Sequence, residues 1–140
     1  MEPTIYLFFK GDCLEAMTHY AETLGGTVEG VMLNRDAPSP ADRMPGGDDM
    51  VMNMMVRLGS TNIMASDNTT EMYQTPQGFR VVIEAPSREE FDRVHAELAE
   101  GARAVEMPAG ETFWAERFGM FTDRYGTPWM LSYTGTKRMA

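Results

Sequence analysis

Cysteine, histidine and positive charge are all scarce in this 140-residue sequence. The one cysteine, Cys13, rules out an intrachain disulfide and a zinc cage built from cysteine alone, so a reducing compartment, the cytoplasm, is expected. Lys and Arg number 12 against 21 Asp and Glu, and the formal net charge of -9 repels phosphate backbones. Nucleic acid is therefore not an expected partner. No apolar run approaches the ~20 residues that cross a bilayer, and no charged-then-apolar segment precedes the first strand-like run. A soluble chain with no membrane partner is the expectation.

Methionine, by contrast, is abundant. Fourteen of them suggest either an adaptable apolar cavity or a core that packs with soft side chains. The length fits one compact domain, residues 1–140, with room for an internal duplication.

A duplication is what the pattern shows. TIYLFF reads as a strand, and GDCLEAMTHYAETLGG follows as a helix, with Asp12 and Glu15 spaced as a capping box and Gly25 as the left-handed stop. Leu14, Met17, Ala21 and Leu24 form its apolar stripe. The same order returns in FRVVIEA and SREEFDRVHAELAEG, capped by Ser87 and Glu90, striped by Phe91, Val94 and Leu98 and ended by Gly101. Three strand-like segments follow each helix: TVEGVML, MVMNMMVRL and TNIMASD, then RAVEM, ERFGMFTD and PWMLSY. Each half thus reads β-α-β-β-β, an α+β chain with modules at 4–67 and 79–134 and a linker at 68–78. NRDAPSPADRMPGGDD reads as a loop by its turn residues.

Strand alternation separates a helix-covered face from a mixed, concave one. Phe79, Val81, Ile83 and Ala85 are expected to meet the helix, which leaves Arg80 and Glu84 on the other side, where they either pair with each other or meet a ligand. Asn53, Met55 and Met64 fall on the corresponding mixed face of the first half.

The duplicated unit, with GETFWAERFGMFTDRYGTPWM near its end, resembles the vicinal oxygen chelate superfamily, and within it the PhnB-like branch. That resemblance implies two modules forming an incomplete barrel around a cavity, commonly in a homodimer. It also implies that metal enzymes of the superfamily draw one ligand each from the first, fourth, fifth and eighth strands. Here those positions carry Ile5, Met64, Arg80 and Met130, none of them an oxygen or nitrogen ligand for a divalent cation. His19 and His95 both lie in helices rather than on those strands. Neither a metal nor another cofactor is therefore expected, and a metal-dependent isomerase or dioxygenase is disfavoured.

Other chemistry has weak support. Cys13 in the first turn of a helix is conceivable as a nucleophile, but Asp12 and Glu15 oppose a thiolate. Gly25-Gly26 lies between helix and strand, on the wrong side for a nucleotide cradle. Glu111, Glu116 and Asp123 are near Trp114 and Tyr125 in sequence, though spacing alone brings no two together, and Asp123 with Gly126 reads as a turn. Trp114 serves either as core or as an aromatic cavity wall. The leading expectation is a homodimer binding a small organic ligand through Phe9, Asn53, Met55, Met64, Arg80, Trp114, Met130 and Ser132. Arg80 would orient an anionic or carbonyl-bearing group. Trp129, Leu131 and Tyr133 are expected to face the helices, with Met130 and Ser132 on the cavity side. The alternatives are an enzyme of the same fold, with a metal on donors such as Glu84 and Asn53, or a structural dimer with no ligand.

Overall fold

The computed structural model describes residues 1–138, in two compact units that divide between Gln74 and Thr75. The first contains β1 (Ile5–Phe9), α1 (Cys13–Leu24), β2 (Thr27–Leu33), β3 (Val51–Leu58) and β4 (Thr61–Asp67). The second repeats the order with β5 (Val81–Glu84), α2 (Arg88–Ala99), β6 (Ala104–Gly110), β7 (Arg117–Thr122) and β8 (Pro128–Tyr133). Each forms a four-stranded mixed sheet, ordered β1-β4-β3-β2 in one and β5-β8-β7-β6 in the other. The outer pairs β1/β4 and β5/β8 are parallel, and the remaining pairs are antiparallel. Two β-α-β-β-β units with one topology bear out the duplicated α+β fold.

In each unit the helix covers one face of its own sheet. Along α1 the buried apolar set is Cys13, Ala16, Met17, Tyr20 and Ala21, at the i, i+3, i+4, i+7, i+8 spacing of a helical stripe, with Thr23 buried as well. Of the expected stripe Met17 and Ala21 are buried and Leu24 is half-buried, but Leu14 is 44% exposed, and Tyr20, packed against Phe9, is buried instead. Along α2, Phe91, Val94 and Leu98 are buried as expected.

The two helix starts are built differently. At α2 the Ser87 hydroxyl accepts from Glu90 N at 3.1 Å, the local cap, while the Glu90 carboxylate turns to Arg93 instead of closing the box. Asp12 holds the N-cap position of α1 without a side-chain cap bond. That function falls to Asp67, 54 residues beyond Cys13, whose Oδ1 accepts from Gly11 N at 2.9 Å and Cys13 N at 3.0 Å. Its Oδ2 accepts from Val51 N at 3.0 Å, so one buried carboxylate joins the turn after β1, the first turn of α1 and the start of β3.

The long loop between β2 and β3 is likewise organised from within. Asn34, fully buried, donates Nδ2 to the carbonyls of Met44 and Gly47 at 3.0 Å and accepts from Met44 N at 3.1 Å. Two short 3-10 turns, Asn34–Asp36 and Pro40–Asp42, occupy the rest.

Candidate functional site

Residues paired across neighbouring strands share a face of the sheet. On the uncovered face of the second unit this register sets Val82, Met130, Met120 and Met107 in one row. Glu84, Ser132, Phe118 and Gly110 form the adjoining row. Beyond the first row, at the strand ends, a cavity of about 650 Å³ is lined by Arg80, Val82, Glu106, Thr122, Pro128 and Met130, with Thr75 to Phe79 closing one side.

Arg80 is held from one nitrogen. Its Nη1 donates to the carbonyls of Phe121 and Trp129, each at 3.3 Å, and lies 3.4 Å from Glu106 Oε1. Glu106 Oε2 accepts from the Thr122 hydroxyl at 3.0 Å. The two charged side chains remain partly exposed, at 23% and 33%, so both are open to solvent or to a ligand. Apolar contributions come from Phe79, Val82, Pro128 and Met130. Convergent polar groups on an apolar wall are the usual composition of a small-molecule site.

Several sequence-based placements change here. Arg80 does not pair with Glu84: its partner is Glu106, while Glu84 accepts from Thr134 N at 2.9 Å and from the Thr134 hydroxyl at 3.1 Å. Phe79 does not meet the helix, since β5 begins only at Val81 and Phe79 is an exposed cavity residue. Thr75 to Gly78, within the segment read as linker, also line the cavity. Trp114, in the turn between β6 and β7, packs edge-on between Phe113 and Phe118, at 4.9 and 5.2 Å between ring centroids, and Ser132 belongs to the adjoining row; neither lines the cavity. Glu106 was missed because a bulge after Val105 breaks the alternation from which β6 would be read, and Thr122, at the regular end of β7, gains its place only through its bond to that glutamate.

In the first unit, Phe9 is 1% exposed and lies on the helix side, together with Leu7; the uncovered side of β1 presents Tyr6 and Phe8. The strand is aromatic on both faces, so residue type alone does not tell the helix side from the uncovered side. By register Tyr6, Met64, Met55 and Gly30 share one uncovered row, and the Tyr6 hydroxyl donates to Asn53 Oδ1 at 3.3 Å.

The remaining candidates are occupied by structure. Cys13 is fully buried, and burial first, then the Asp67 and Asp12 charges, pushes its thiol far above the ordinary range. That suppresses the thiolate a nucleophile needs. Asp123 accepts from Tyr125 N, Thr127 N and Trp129 Nε1 at 2.9, 3.0 and 2.8 Å, which makes TDRYGTPW a turn clamp that seats Trp129 in the core. Glu111 is held below the usual carboxylate range by Lys137, and Glu116 by the Thr136 backbone N–H and hydroxyl. His95 lies stacked on Phe91 and edge-on to Phe121, and burial, reinforced by Arg117, lowers its pKa.

A divalent cation, which relatives of this fold can use, is poorly matched. No cluster of three His, Cys, Asp or Glu side chains stands ready for an ion among the described residues. Ile5, Met64 and Met130 offer hydrocarbon or thioether, and Arg80 brings a like charge. No helix among those residues is long and apolar enough to cross a membrane.

The sequence model of the family described as 3-demethylubiquinone-9 3-methyltransferase matches residues 2–132. Protein YjdN of Escherichia coli is 33% identical over 135 residues, 91% of each chain. Among solved structures, protein PA1353 from Pseudomonas aeruginosa is 40% identical with a TM-score of 0.84, covering 95% of this chain and 97% of that one. The PhnB protein from Bacillus cereus follows at 26% identity and a TM-score of 0.74, covering 95% of this chain and 99% of that one. The fosfomycin resistance protein FosX from Listeria monocytogenes shares the fold, at a TM-score of 0.63 with 11% identity over 97% of this chain and 94% of its own. A match that spans nearly the whole sequence, on a duplicated β-α-β-β-β fold common to these structures, means that the chain belongs to the PhnB-like, 3-demethylubiquinone-9 3-methyltransferase family of the vicinal oxygen chelate superfamily.

Proposed function

We propose that the protein binds a small organic molecule in the cavity of its second unit, with Arg80 donating to a carboxylate or carbonyl of the ligand. The observation that carries this reading is the state of Arg80. A guanidinium has five N–H donors in a fixed fork, and only Nη1 is engaged by the described residues, so the Nε and Nη2 edge remains for a ligand. Such an edge accepts a carboxylate in bidentate fashion, while Met130, Val82 and Phe79 supply apolar area. No metal enters this reading. A homodimer is part of it, supported by the family resemblance, and light scattering at two concentrations tests that part.

Methyl transfer, which the family description names, would call for a place to seat a methyl donor. The helix N-termini, where a nucleotide-like cofactor would be cradled, are taken up by the chain itself: Gly11 N and Cys13 N by Asp67, and Glu90 N by Ser87. Gly26 is packed, not open, because a Cβ there would collide with the Arg57 carbonyl and the Leu58 side chain. Binding favours itself over transfer on these grounds, and micromolar affinity for S-adenosylmethionine would reverse the preference.

The test is a ligand-observed NMR screen of small carboxylates and carbonyl compounds against the wild-type protein and Arg80→Ala. Hits that shift the Met130 methyl resonance should weaken about tenfold or more in the variant, the loss of a charge-assisted pair, with its circular dichroism unchanged. Hits that bind the variant equally well would refute the role given to Arg80.

A further inference from the structure

We infer that the cavity selects zwitterions: ligands that carry an ammonium and a carboxylate a few bonds apart on an apolar body. The inference rests on the reading above and narrows it. Arg80 is not a lone cation, since Glu106 stands 3.4 Å from its Nη1 and faces the same cavity. That separation is longer than the ~2.7–2.9 Å of a tight charge-assisted bond, so the pair is loose enough for ligand groups to join it.

Charge balance then decides the class of ligand. An anion beside Arg80 also meets the Glu106 carboxylate and the carbonyls of Phe121 and Trp129, in a protein whose formal net charge is -9. Opposed neighbours at similar range largely cancel its attraction. A lone cation meets the converse problem at Arg80. A zwitterion satisfies both, its carboxylate on the Nε and Nη2 edge and its ammonium on Glu106. Glu106 has acceptor capacity to spare, because a carboxylate offers about four lone-pair sites and, among the described residues, only the Thr122 hydroxyl and Arg80 Nη1 draw on them. Phe79, Val82 and Met130 are left for the apolar body.

Three probes with one apolar body separate the possibilities: L-phenylalanine, 3-phenylpropanoate and 2-phenylethylamine, titrated while the Met130 methyl resonance is followed. L-Phenylalanine should bind about tenfold tighter than either singly charged probe, the worth of one additional charge-assisted bond. In Glu106→Gln the preference should vanish, with the zwitterion weakening and 3-phenylpropanoate gaining. Arg80→Gln should weaken both carboxylates. If wild-type protein binds 3-phenylpropanoate as tightly as L-phenylalanine, the zwitterion inference is overturned while the Arg80 ligand site stands. A failure of L-phenylalanine to bind, when the carboxylate screen does find Arg80-dependent ligands, overturns the inference alone. If neither experiment finds a ligand in the cavity, both readings fall.

Discussion

Replacing Asp67 should destabilise this protein more than replacing any local helix cap. The wild-type carboxylate accepts from Gly11 N, Cys13 N and Val51 N at 2.9, 3.0 and 3.0 Å, with the residue 1% exposed. A hydrogen bond to a charged group contributes roughly 1.5–3 kcal/mol, and a buried donor left without an acceptor costs about 1–3 kcal/mol. Asp67→Ala strips acceptors from all three donors, and after some relaxation and water entry a loss of about 4–6 kcal/mol is expected. Against a total stability of about 5–15 kcal/mol this is severe. Asp67→Asn keeps one oxygen near Gly11 and Cys13 but turns an amide donor towards Val51 N, for a loss of about 2–3 kcal/mol. Ser87→Ala, which removes a single local cap bond, should cost only about 1 kcal/mol. Urea titrations of the three variants give the ranking through their midpoints, with equal slopes confirming one folded state. Hydrogen exchange supplies the local check, because Val51, whose acceptor is lost, should lose protection in Asp67→Asn while Gly11, Cys13 and the amides of α2 keep theirs. A cost below about 1 kcal/mol for Asp67→Ala, or a ranking with Ser87→Ala first, would refute the tertiary cap.

The lowered pKa of His95 means that the unfolded chain binds a proton more readily than the folded one. Stability should therefore fall as pH drops through the unfolded histidine value of about 6.5, flattening again below the folded pKa, and His95→Leu should remove that component from a pH series of melting temperatures. A series for the variant identical to wild type would show that His95 is not its source. Cys13 should resist Ellman's reagent in the native protein and react fully in denaturant, since its thiol is buried and held protonated; rapid native labelling would contradict the burial. Trp129→Phe removes the 2.8 Å indole bond to Asp123 and leaves space in the core, for an expected loss of about 2–4 kcal/mol in urea titration. A neutral result there would mean that the motif's tryptophan is not seated by Asp123.

Local periodicity and end signals were sufficient to place the elements. β2, β4 and β8 coincide with TVEGVML, TNIMASD and PWMLSY because each is a short run of strand-forming residues bounded by turn formers. The two helices are marked by cap-type residues and glycine stops, and the duplication by their repetition, although of the expected caps only Ser87 makes its bond. Trp129 and Leu131 are buried as alternation predicts, and Asp123 to Gly126 forms the turn, with Gly126 N donating to Asp123 O at 3.0 Å.

Tertiary structure decided what those elements present to one another. No spacing rule links Asp67 to Cys13, since the carboxylate reaches the helix only once β4 has paired with β1. No spacing rule links Arg80 to Glu106 either: Arg80 immediately precedes β5 and Glu106 lies on β6, at opposite edges of the sheet, and the guanidinium spans the ends of β8 and β7 to reach its partner. The sequence by itself determined a duplicated α+β fold and a second-half strand that carries Met130 beside a cavity-side arginine. Which carboxylate stands beside that arginine was settled by strand register and a bulge, which depend on contacts between residues far apart in the chain.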